Sequence, residues 1–472
     1  MEYENIFPKI TKRNDYIYPK KEVIKNSLYV NDKNKFKNRL NYSPKIFLSL
    51  KIFIYFYLLI NSITINSKEL RKLDSYYSYI TLTMIQKGNQ PFLSPNFQLC
   101  PDEVYVNDNK ISGEVCKSAI LNETTNIIKI VFINEINRTL DKFNGLSNIK
   151  SIDLSHFNAS LVNTMKNMFS HCSDLTLIDF TDIDTSSVTS MEGMFSYCRN
   201  LKSLNLSSFN TSNVIKMNDM FRSCGLSSLK ISNFNTSRTT SMESMFDFCS
   251  SLSSIDLSNF ITTSLTTITN MFYNCYELTY INLTSFNTNK VEEMKYVFGG
   301  CHNLKVIDIS TFDTSNVVDM GFFFYNCYKL KTINLFNFNT SSVKSMSYMF
   351  YQCNALEYLN ITSFDTSLVE KMDHMFADCK LIQTLNLSHF KTNFLRTMKK
   401  MFEGCSSLIS INLSNFDTSL VTDMSELFRD CHELTSIYIY NFKTSLVKTL
   451  SYMFSGCKYI TSFDLSNSIL HQ

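Results

Sequence analysis

The chain has 472 residues, 45 Lys+Arg against 42 Asp+Glu, a formal net charge of +3 and 44% apolar residues. That balance can bury a sizeable core and excludes collagen-like and wholly disordered chains. Twelve basic and five acidic side chains fall in residues 1–51, so the remaining body is slightly acidic and lacks a nucleic-acid binder's basic field, while only 10 Gly argue against glycine-rich phosphate loops.

Residues 1–45 are Lys- and Asn-rich without sustained periodicity and read as a disordered basic leader. Residues 46–66 follow, with Lys51 flanking the apolar centre IFIYFYLLI at 52–60. A basic flank before a short apolar run is the layout of a secretory signal. The long leader leaves two readings open. Translation starts downstream of Met1 and the signal is cleaved, or the segment stays as a signal anchor with its basic side in the cytosol. In both, the rest of the chain lies across a membrane.

Residues 67–142 read as a small β-rich cap. ITLTMIQ (80–86), EVYVN (103–107) and NIIKIVFI (126–133) are expected strands, with a turn at Asn107-Asp108-Asn109. Cys100 and Cys116 lie here and are either a disulfide closing a short loop or two free thiols.

An internal repeat fills residues 143–472. Cysteines recur from Cys172 to Cys457 at intervals of 26 residues, except for 25 between Cys224 and Cys249. The repeated pattern is C-x-x-L-x-x-L-x-L-x-x-F-x-T-S-x-V-x-x-M-x-x-M-F-x-x, as in CSSLISINLSNFDTSLVTDMSELFRD at 405–430. A partial copy enters at Phe143, with Leu146 in the Cys place, and the last copy ends at FDLSNSILHQ. Either Ile469 and Leu470 cap that final strand or the chain is a fragment. Leu408, Ile411 and Leu413 finish with the alternation of a strand. Val421, Met424, Leu427, Phe428 and Cys431 have the spacing of one face of a short helix, with Thr418-Ser419 supplying an expected N-cap. The fold class is therefore α/β: a solenoid with one strand and one short helix per coil, and a parallel sheet on the order of 55–60 Å long.

The L-x-x-L-x-L core resembles a leucine-rich repeat, and M-F-x-x-C-x-x-L at period 26 resembles the BspA-type leucine-rich repeat surface proteins. The resemblance covers residues 143–472. It implies a surface-exposed adhesion or recognition protein without catalysis. One departure stands out. Where the commoner pattern carries Asn or Cys, this chain has Phe (Phe209, Phe234, Phe260, Phe286), so a phenylalanine spine would replace the asparagine ladder.

The repeat cysteines are single and flanked by apolar positions, which favours buried thiols over zinc ligands. Seven scattered His share no repeat position with an acidic partner, so no catalytic residue, metal site or cofactor is expected, and the chain is not read as an enzyme. Two outward columns are polar: one of Asn and Asp (Asp179 to Asp464), the other of Ser and Thr two places on. They are either a ladder satisfied along the stack or a face that binds a partner. Lys230, Phe336, Tyr438 and Tyr440 interrupt them and are the candidate partner contacts. The functional expectation is a cell-surface or secreted recognition protein binding protein or glycan, with membrane attachment through 46–66 if uncleaved and no nucleic acid. The alternative is a self-associating coat or scaffold.

Overall fold

The computed structural model describes residues 78–460 except 114, 134, 135, 138 and 140, together with the backbone of 462–464. The leader at 1–45, the signal segment at 46–66 and the capping pair Ile469 and Leu470 lie outside the described residues.

The N-terminal strands are β1 (Ser78–Met84), β2 (Gly88–Pro91), β3 (Glu103–Val106), β4 (Asn109–Lys110), β5 (Ser118–Leu121) and β6 (Asn126–Phe132). Alternation dictates their faces: Ile80, Leu82 and Met84 of β1 are fully buried, as are Ile128 and Ile130 of β6, its antiparallel partner. Asn107 and Asp108 both take left-handed φ, 47° and 64°, which a two-residue hairpin loop needs between β3 and β4. Cys100 and Cys116 are joined by a disulfide. The other edge of β1 pairs antiparallel with β7 (Ile149–Asp153), which pairs in parallel with β8 (Leu177–Asp179). The resulting order, β4-β3-β6-β1-β7-β8, makes the cap sheet continuous with the first coils. Backbone groups that an open solenoid end would leave unpaired are thereby satisfied.

The strands after β8 are, like it, three residues long. They are β9 (Ser254–Asp256), β10 (Tyr280–Asn282), β11 (Thr332–Asn334), β12 (Tyr358–Asn360), β13 (Ser410–Asn412), β14 (Ser436–Tyr438) and β15 (Ser462–Asp464). Pairing is parallel and in repeat register, for example Ile281 opposite Ile255 and Ile411 opposite Ile437. A second parallel ladder of single-residue bridges runs from Thr164–Ser190 to Asp423–Thr449, one bridge just before each first Met position. The Met, Val and Cys positions between the ladders point inward and are almost all fully buried.

The short helix expected in each coil is absent; no helix occurs among the described residues, so the fold is all-β and not α/β. In 346–353, the amides of Met346, Tyr348, Phe350 and Gln352 donate to the next coil, to carbonyls of Lys371, Asp373, Met375 and Ala377 at 2.8–3.0 Å. The intervening amides of Met349, Tyr351 and Cys353 close turns onto residues three back. Tyr348 and Gln352 have φ of 59° and 57°, a conformation that a right-handed helix cannot contain. The same two left-handed positions recur along the rod (Asn270 and Asn274, Glu426 and Asp430). Apolar spacing of three and four suits a chain of stacked turns as well as it suits a helix. The inter-coil hydrogen bonds decide for the turns.

The Thr-Ser pair is likewise no N-cap. Thr366 is 1% exposed; its Oγ1 donates to the Lys391 carbonyl at 2.9 Å and accepts the Lys391 amide at 2.8 Å. Thr185, Thr211, Thr236, Thr262 and Thr418 do the same for the coil after their own. This threonine column satisfies inner backbone groups. The Phe at 209, 234, 260 and 286 fills space beside it. A second phenylalanine column, the Phe after the second Met position, stacks from Phe143 to Phe454 with centroids 5.4–5.9 Å apart and planes within 15°. Each such pair adds about 0.5–1.5 kcal/mol beyond its buried area.

The repeat thiols form an interior column. Most donate to the carbonyl of the stacked Phe one coil earlier, as Cys172 does to Phe143 at 3.0 Å and Cys405 to Phe376 at 3.1 Å. The coil of 25 residues is the exception: Cys224 faces the Cys198 carbonyl at 3.5 Å. Its next residue must be Gly225, because a Cβ there would overlap the Arg199 carbonyl oxygen.

Candidate recognition surface

Two long faces carry the side chains that vary. The strand face presents the Asn/Asp column, whose carboxamides and carboxylates bond mainly within their own coil, with Asp256 also bonded to Asn282 of the next coil. Asp308 Oδ1 accepts the Ser310 amide at 3.0 Å and Asn334 Oδ1 the Phe336 amide at 3.1 Å, each an Asx turn that lets the chain leave the strand. In Asp308 and Asp179 those hydrogen bonds, to Ser310 and Thr181, hold the carboxyls below the usual range. Other inter-coil side-chain bonds come from the position just before the Phe of the strand half: Asn337 Nδ2 donates to Ser310 O at 2.9 Å and Ser363 Oγ to Leu335 O at 3.0 Å.

The candidate contacts do not converge. Lys230 is exposed in an early coil and Phe336 sits four coils on, about 19 Å away at the strand spacing. Tyr438 is exposed and Tyr440 half-buried a further four coils along. Phe336 does have large apolar companions on its own face: Tyr280, Val306 and Tyr358, each 57–66% exposed, against 67% for Phe336 itself.

The opposite face, made by the stacked turns, holds a feature that the strand-centred reading missed. Two places after the first Met position stand Tyr296, Phe322, Tyr348 and His374, stacked in succession at 4.3, 4.6 and 4.1 Å. Tyr325 and Tyr351, three places further on, stack at 5.2 Å and contact the first column edge-on. Ion pairs take over towards the C-terminus: Lys400 lies 3.1 Å from Glu426 and Arg429 2.6 Å from Glu426. The signal was in the sequence, as a run of aromatics at one repeat position. A helical reading scatters that column over a curved face, whereas the turn ladder aligns it.

Among the described residues, no group of three or more His, Cys, Asp or Glu is placed to hold a metal ion. Burial pushes the Cys172 thiol up to about 12, so the interior thiols are neutral.

A closed-core rod of stacked turns and short parallel strands, with variation confined to its outer columns, defines a solenoid repeat protein. The chain belongs to the family described as Mycoplasma protein of unknown function, DUF285, whose model matches in overlapping copies at residues 134–253, 202–306, 266–385, 297–410 and 379–468. No curated protein matches its sequence. Among solved structures, the crystal structure of a TLR13–ssRNA13 complex is similar at 13% identity over 72% of this chain and 81% of that one; its TM-score of 0.18 is too low to carry an argument.

Proposed function

We propose that the protein is a cell-surface or secreted recognition protein that contacts a protein or glycan partner through its solenoid. The carrying observation is the contrast between columns. Inward positions repeat the same few side chains from coil to coil, whereas the strand face opens a patch at Tyr280, Val306, Phe336 and Tyr358 in the middle of the rod. Exposed apolar clusters of that kind mark interaction sites. Lys230, Tyr438 and Tyr440 are secondary contacts on the same face. The resemblance to BspA-type surface repeats and the signal-like segment at 46–66 support export, and the Cys100–Cys116 disulfide suits an oxidising compartment. The alternative, a self-associating coat, draws on the uniform run of Asx turns beside that patch.

Antibody against residues 143–460, applied to intact cells expressing the chain, tests the reading. Labelling of unpermeabilised cells is the expected outcome. Labelling that needs permeabilisation overturns it.

A further inference from the structure

We propose that a trough on the turn face binds a linear acidic glycan, an oligosaccharide carrying carboxylate or sulfate groups. This rests on the recognition reading above and assigns it a second, chemically defined site. The trough has a volume of about 760 Å³ and runs from Lys295 to Lys399. These residues belong to one repeat column, and the trough exists because that column narrows to Gly321 and Ser347 between them. A Cβ on Gly321 would lie 3.0 Å from Asp319 Oδ1 and 3.4 Å from the Ser347 carbonyl, so any side chain there fills the floor.

Phe322, Tyr348 and His374 form one wall. Both faces of Phe322 and Tyr348 and one face of His374 are covered by stacking, which leaves ring edges to line the trough. Edges are the positive end of the aromatic quadrupole and favour oxyanions. Asp319, Ser345, Lys371 and Thr397 form the other wall. The carboxylates are already engaged: Asp319 pairs with Lys295 at 2.8 Å, and Asp373 accepts Ser347 Oγ at 2.7 Å. Lys400 is held by Glu403 and Glu426. Lys371 and Lys399 have no carboxylate within ion-pair distance among the described residues, so the unspent charge is positive.

Shape and hydrogen bonding choose a sugar over a peptide. The trough follows four coil spacings, about 19 Å, which suits a linear polymer. Its backbone is spent: the amides of Met320, Phe322, Met346 and Tyr348 all donate to the next coil. An extended peptide therefore finds no strand edge to pair with. Ser345, Thr397 and the lysines instead offer side-chain donors and acceptors to a hydroxyl-dense ligand.

The full-length chain is titrated with dextran sulfate and oligogalacturonate, and with neutral dextran and polyglutamate of matched length. Saturable binding of the two acidic sugars is expected, with neutral dextran and polyglutamate at least about tenfold weaker, the difference made by one charge-assisted contact. The Lys371→Glu/Lys399→Glu double variant should lose about tenfold or more with unchanged melting, and Gly321→Leu, whose Cβ crowds Asp319 Oδ1, should lose as much whether or not its melting shifts. Lys305→Glu and Lys331→Glu, both exposed on the strand side, should stay within about twofold. Absent binding to the acidic sugars, polyglutamate binding as tightly as they do, or equal loss in the strand-side variants overturns the trough. A trough that fails on a chain that still labels at the cell surface leaves the recognition reading standing, and the reverse result separates them equally well.

Discussion

At the scale of single residues, Lys142 is the least conventional choice in the molecule. It is fully buried, and its Nζ lies 3.9 Å from the Phe132 ring centroid, 4.4 Å from Phe97 and 5.2 Å from Phe157, with no hydrogen-bond partner. Burial drives its amine well below the ordinary lysine range. The folded state therefore binds fewer protons than the unfolded chain wherever the pH lies between the lowered pKa and the ordinary lysine value. Stability must then rise with pH between the lowered pKa and about 10.4, where the unfolded lysine loses its own proton. Lys142→Met keeps the volume and removes the penalty. The variant should be more stable than the parent by about 1 kcal/mol or more at pH 7, with the gap closing towards pH 10. Denaturant melts at several pH values measure it. A destabilisation of equal size at every pH would mean that the aromatic cage holds the ammonium as a favourable cation–π contact.

At the scale of the repeated element, the polar work is done by threonine. Thr366→Val preserves shape yet strips the Lys391 amide and carbonyl of their partner at once. The expected cost is about 2 kcal/mol, whereas the same change at exposed Thr384, on the strand face, should cost under about 0.5 kcal/mol. Chemical denaturation of the two variants checks the difference. The coil also shows where sequence reading reaches its limit. Cysteine, methionine and phenylalanine columns identified the period, the register and the interior, because burial selects residue type at each position. The spacing V-x-x-M-x-x-M-F could not distinguish a helix from stacked turns. The deciding hydrogen bonds, such as Tyr348 to Asp373 at 2.9 Å, join residues 25 apart and leave no local mark. Nor could it show that Thr366 faces a neighbour's backbone and not its own helix end.

At the scale of the whole rod, the thiol column reports on integrity. Only Cys457, at the C-terminal end, is half-buried; burial raises its thiol to about 11, and the other repeat cysteines are buried. Native protein treated with a thiol reagent at pH 8 should be modified slowly and at Cys457 alone, while denatured protein reacts at all twelve repeat cysteines. Mapping the labelled peptides by mass spectrometry checks this, and ready labelling at central cysteines without denaturant would show that the coils open. By itself the sequence determined the repeat, its register and the side chains that fill the interior, because a 26-residue unit that cannot bury its own apolar face writes the same requirement into every copy. Only the tertiary structure decided that each coil is all turn and strand, that threonines satisfy the inner backbone, and that aromatics and lysines from successive coils align into a trough. Those outcomes depend on which groups meet across coils, and that meeting is set by stacking.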